Sequence, residues 1–245
     1  MKTAVWFRKM ITEGGVSVKR ISLILVCIML LGVFHVNAAQ EVVYDVGTQT
    51  FTPLDLTKAA NMGFADEIEG DGKGGWADQG AANDFRNFTH RGRTLFNGIP
   101  FNIIEPKNNG GNSCVVLRGQ NNEYFPISAE IEVNQEAGGV YFLHAASHTE
   151  GKISDIVGKY TFVYEDGTSS DVNVRGNKDV FNWWGKNSSE TCISVWTGAN
   201  GSTNLISLGM FACPNPYPNK KISKIVASTP GNEASLIVVA ATLTD

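Results

Sequence analysis

Apolar residues recur along this chain in short runs, several of them alternating with polar ones, and turn residues separate the runs. Tyr160-Thr161-Phe162-Val163-Tyr164 places β-forming residues on both faces of an extended segment. Ile131-Glu132-Val133 reads apolar on one face and acidic on the other. Runs of this kind occupy residues 51–56, 114–117, 129–133, 140–144, 158–164, 170–174, 192–197, 205–213, 222–228 and 235–243. Between two of them stands Glu165-Asp166-Gly167-Thr168, and Asp-Gly flanked by β-formers is a strong hairpin signal. No window sustains a helical period, and residues 56–62 offer one turn at most. Short strands punctuated by turns are the pattern of an all-β sandwich, in a single domain.

Residues 61–112 depart from that pattern, being rich in Gly, Asn and Asp with isolated aromatics. A connection this long inside a compact domain is usually functional, or ordered by something else. It is the first place to look for a site.

The N-terminus alters the picture of charge. Lys2, Arg8, Lys9, Lys19 and Arg20 precede an apolar run over residues 21–34, and Val36-Asn37-Ala38 follows it. A basic start, a short apolar run and a small-residue exit form a secretory signal peptide, residues 1–38. The run is too short to span a bilayer comfortably. The full chain of 245 residues carries 20 basic and 24 acidic residues, a formal charge of -4. Cleavage after Ala38 removes five bases and one acid, so the mature domain, residues 39–245, carries -8. That charge disfavours nucleic acid and anionic membrane surfaces as partners. No second long apolar run follows, so membrane insertion is not expected after cleavage. The expected place is outside the cell, in the periplasm or in the cell envelope.

Three cysteines remain in the mature chain: Cys114, Cys192 and Cys213. Export permits a disulfide, and Cys192 with Cys213 is the favoured pair, against free buried thiols as the alternative. His144 and His148 lie four apart, but in a β-like context that lacks the helix a metal-binding pair of this spacing needs. Nucleophile-elbow, zinc-protease and phosphate-loop motifs are absent from the sequence.

Two candidate chemistries lie in the long segment. Asp66, Glu69 and Asp71, among the glycines of residues 70–75, can offer carboxylate oxygens to a calcium ion. The alternative is a solvated turn with Gly at positive φ. Trp76, Trp183 and Trp184 lie beside Gly, Asn, Asp and Arg. Flat aromatic faces can floor a sugar site while Asp78, Asp84 and Arg86 read its hydroxyls. The alternative for each Trp is a place in the core.

Several stretches together resemble a bacterial secreted β-sandwich module of the kind attached to glycoside hydrolases. They are Phe51-Thr52-Pro53-Leu54-Asp55-Leu56, Asn61-Met62-Gly63-Phe64, and Gly70-Asp71-Gly72-Lys73-Gly74-Gly75-Trp76-Ala77-Asp78-Gln79-Gly80. Asn83-Asp84-Phe85-Arg86, Gly98-Ile99-Pro100-Phe101, Tyr141-Phe142-Leu143-His144, Trp183-Trp184 and Ile222-Ser223-Lys224-Ile225 continue the resemblance across nearly all of residues 50–245. It implies a galactose-binding-like jelly roll, a class in which carbohydrate binding and structural calcium are common. The expected function is a non-catalytic module binding a neutral polysaccharide or glycan. Two rival readings stand beside it: a structural or protein-interaction module of the cell envelope, and a glycan-acting hydrolase drawing on the scattered carboxylates.

Overall fold

A computed structural model describes residues 49–119, 122–149 and 155–245. The segment expected to be a signal peptide, residues 1–38, lies outside the described residues. The described residues form an all-β protein of antiparallel sheets with one short 3-10 turn at Pro106–Asn108. Among them, no helix is long and apolar enough to cross a membrane.

Each of the ten apolar runs contains a strand. They are β1 (Phe51–Pro53), β4 (Val115–Val116), β5 (Ser128–Gln135), β6 (Gly139–Ser147), β7 (Ile156–Tyr164), β8 (Ser169–Arg175), β9 (Cys192–Gly198), β10 (Ile206–Pro214), β11 (Ile222–Ser228) and β12 (Ser235–Thr244). Two further strands, β2 (Gly92–Phe96) and β3 (Ile99–Ile103), lie inside the long Gly/Asn segment. Their turn is Asn97-Gly98, with φ of 51° and 81°. This is the Asn-Gly pair that a two-residue hairpin turn requires, because both central residues must take positive φ. The Asp-Gly hairpin joins β7 to β8 as expected, with Val163 opposite Ser169.

One sheet runs β1-β12-β6-β10-β9, with β4 pairing a second stretch of β12. The other runs β5-β11-β7-β8. Phe142, Phe211, Leu236 and Val238 of the first sheet share one apolar cluster with Ile131, Tyr160, Phe162, Val174 and Ile225 of the second. At its centre Phe142 stacks on Tyr160, with ring centroids 3.7 Å apart and planes 5° off parallel.

The first sheet is buried on its other face as well. Tyr141, Leu143, Leu208, Met210, Ile237 and Val239 join a second cluster with Phe64, Trp76, Phe85, Phe88 and Phe101. The long segment is therefore a covering layer. Every residue of β6 and β12 is buried in consequence. That explains their continuous apolar character, since a strand covered on both faces has no side for polar residues. A bulge between Val238 and Ala240 shifts the register of β12 on β6. It lets Val239 and Ala240 both face the covering layer, and Ala241 returns to the first cluster.

The three described cysteines are free and buried, which corrects the expected disulfide. Cys192 pairs across the ladder with Phe211, while Cys213 pairs with Val140. The two cysteines are thus diagonal neighbours, about 7–8 Å apart, beyond the Cα separation a disulfide tolerates. Burial pushes all three thiols well above their ordinary pKa, so they stay protonated and inert. His144 is a core histidine rather than a metal ligand. Its Nε2 donates to the Asp179 carbonyl (2.8 Å), which leaves Nδ1 to accept from the Tyr160 hydroxyl (2.9 Å).

Candidate functional site

The covering layer is assembled by crossing backbones. Gly63 N–H donates to Gly74 O (2.9 Å), Trp76 N–H to Gly63 O (2.7 Å) and Phe85 N–H to Phe64 O (2.9 Å). Gly75 sits where the two segments cross most closely. A Cβ built there would lie 2.4 Å from Ala65 O and 2.7 Å from the Gly63 carbonyl. Gly75→Ala is therefore expected to cost about 1–3 kcal/mol through forced backbone shifts, read as a lower urea midpoint.

This backbone carries an aromatic stack. Trp76 lies face to face on Phe85 (3.9 Å, 4°) and edge-on to Trp183 (5.7 Å, 77°). Trp183 packs in turn on Trp184 at 4.9 Å, and Phe85 touches Trp196 at the same separation. Trp76 and Trp183 are both 0 % exposed. Neither presents a face to a ligand, which removes both from the expected sugar floor. The cause is the covering layer itself, because apolar rings packed over a sheet are worth more buried than exposed. Trp184, at the end of this row, is half-buried.

The polar residues read for sugar hydroxyls are also engaged internally. Asp84 is buried, and its carboxylate accepts from Asp66 N–H (2.8 Å), Arg86 N–H (3.0 Å) and Arg86 Nε (2.7 Å). The Arg86 guanidinium also donates to Asp66 O (2.7 Å) and Glu67 Oε1 (3.1 Å). Asp78 is buried and accepts from Gly70 N–H and Gly72 N–H, both at 3.0 Å, and from the Tyr124 hydroxyl. These residues tie residues 66–86 into one closed turn.

Inside that turn, Asp66, Asp71 and Asp78 bring carboxylate oxygens within 4.8 Å of one another. Asp66 and Asp71, two of the three residues expected to offer oxygens to calcium, lie in this cluster. Glu69 does not join them: it is exposed, on the outside of the turn. Gly70, Gly72 and Gly74 all take positive φ, near 75°. Gly70 and Gly72 thereby turn their N–H groups onto Asp78, the third member of the cluster. Burial holds the Asp66 carboxyl above its ordinary pKa, and the charges of Asp78 and Asp71 push it the same way against the Gly80 hydrogen bond.

Tyr124, Asn122 and Asp78 are linked in a way that no local spacing signals. Asn122 Nδ2 donates to Ala77 O (3.1 Å) and to the Tyr124 hydroxyl oxygen (3.2 Å), so a segment more than 40 residues away closes over the turn. Elsewhere, an open groove of about 690 Å³ lies along β1 and β5, lined by residues including Pro53, Lys58, Glu130 and Glu132. None of its lining residues belongs to the aromatic stack. No protein-family model, curated protein or solved structure matches the chain.

Proposed function

We propose that the protein is an exported, non-catalytic β-sandwich module of the galactose-binding-like jelly-roll type. Its role is structural or protein-interacting, in the cell envelope. The observation that carries this reading is the complete burial of Trp76 and Trp183, which turns the expected ligand floor into the core of a covering layer. The basic and apolar residues before Ala38 support export, and the antiparallel two-sheet core supports the jelly-roll assignment. The carboxylates open to a hydrolytic reading include Asp66, Asp78 and Asp84. All three are buried and bonded to backbone amides, which supports a module that breaks no bonds.

One observation keeps neutral glycan as a second reading. Trp184 is half-buried at the rim of the aromatic stack, and beside it Leu205 is 42 % exposed, with Gly185 N–H bonded to Leu205 O. A calorimetric screen of the full mature chain against neutral polysaccharides separates the two. No binding to any of them is expected. Saturable binding that falls at least tenfold in Trp184→Ala, with the melting temperature nearly kept, would overturn the structural reading in favour of the glycan.

A further inference from the structure

We propose that Asp66, Asp71 and Asp78 form a calcium site that locks the turn spanning residues 66–80 to the covering layer. Three carboxylates converge, with oxygens within 4.8 Å of one another. Oxygens this close can share one hard cation, and calcium accepts such an irregular set, whereas magnesium demands near-ideal octahedral geometry and gives up its waters reluctantly. The donor set is all oxygen, as a hard cation requires.

A second observation, independent of the clustering, points to a ligand. Asp66 is 1 % exposed, and its Oδ1 is buried with no hydrogen-bond partner. Its other oxygen is satisfied by Gly80 N–H at 2.6 Å. A buried carboxylate oxygen left unpaired is costly, and a cation removes that cost. Gly74 keeps a side chain off that oxygen, because a Cβ there would stand 2.8 Å from it. Among the described residues, no Lys or Arg forms an ion pair with Asp66, Asp71 or Asp78. Arg86, the nearest base in the network, is spent on Asp84 and Glu67. Asp78 also accepts from Tyr124, so an ion held there ties the turn to the segment that closes over it.

The site is independent of whether the module's partner is a protein or a glycan. Its test is a thermal melt of the full mature chain, first stripped with chelator and then titrated with calcium chloride or magnesium chloride. Calcium is expected to raise the melting temperature saturably, by about 5–10 °C at a hundredfold excess over Kd. Asp66→Asn and the exposed Asp71→Asn are expected to abolish or strongly weaken that shift, and Glu69→Gln to leave it intact. Asp71→Asn keeps the test open if Asp66→Asn does not fold. The absence of a calcium-dependent shift in the unaltered chain would overturn the proposal. So would an equal response to magnesium, or a shift that Glu69→Gln removes and Asp71→Asn does not.

Discussion

Trp76→Ala is expected to remove about 3–5 kcal/mol of folding stability, the range for emptying a large buried aromatic site. The ring is 0 % exposed and lies between Phe85, stacked at 3.9 Å, and Trp183, edge-on at 5.7 Å. Its removal opens a cavity in the middle of the covering layer, and the stacked partner loses a contact worth about 0.5–1.5 kcal/mol beyond its buried area. The surrounding backbone cannot easily collapse into the gap, because Gly63, Gly74 and Trp76 are bonded to one another across the crossing. Urea unfolding followed by far-UV circular dichroism reads the loss as a lower midpoint. Trp184→Ala, at a half-buried position, is expected to cost clearly less. A Trp76→Ala variant with an unchanged midpoint would show that the ring is not part of the core.

Acidification is expected to cost nearly as much, through His144. The imidazole is 0 % exposed, packed parallel to Phe211 at 5.5 Å, with Cys192 Sγ 4.0 Å from Nε2. Burial pushes its pKa down to about 4, and the hydrogen bond to the Asp179 carbonyl opposes only part of that. The titratable groups around it are Tyr160, Cys192 and Asp179. Burial keeps the first two protonated, and the Asp179 side chain accepts from Thr191 Oγ1 and Arg175 N–H. The unfolded chain binds a proton on His144 near the ordinary value of 6.5, and the folded chain does not until about 4. The unfolded state therefore holds more protons between those values, and stability falls as pH drops through that window. The contribution is fully present above about 6.5 and amounts to about 3 kcal/mol. Urea midpoints measured from pH 7.5 to pH 4 check it. His144→Gln should lower the midpoint at pH 7.5 and flatten this slope; an unchanged slope would place the titrating group elsewhere.

The strands were legible because each makes its signal locally. Residues 158–164 and 170–174, with Asp166-Gly167 between them, carry the alternation and the turn of a β-hairpin, and β7 and β8 follow. Asn97-Gly98 is an equally strong local signal, but it sits in a segment whose Gly/Asn-rich composition reads as loop and masks β2 and β3. The covering layer as a whole has no period to detect. It is built from crossings such as Gly63 with Gly75 and from single rings such as Phe64, Phe85 and Phe88, each fixed by distant partners. A Trp flanked by Gly and Asp looks the same in sequence whether it faces solvent or a sheet. Asp66 and Asp71 were readable as an acidic pair among glycines. That Asp78 rather than Glu69 joins them was not, because it depends on reversals at positive φ at Gly70, Gly72 and Gly74 and on the contact with Tyr124.

Amide hydrogen exchange across residues 62–88, in calcium-containing buffer at neutral pH, tests most directly whether this segment is a built layer. The amides of Gly63, Trp76 and Phe85 are each bonded to a backbone carbonyl within the layer. Their exchange is expected to be slow, with protection approaching that of β6 and β12. Fast exchange at these three amides, with β6 and β12 protected, would contradict the layer and return the segment to a loop lying over an otherwise open sheet.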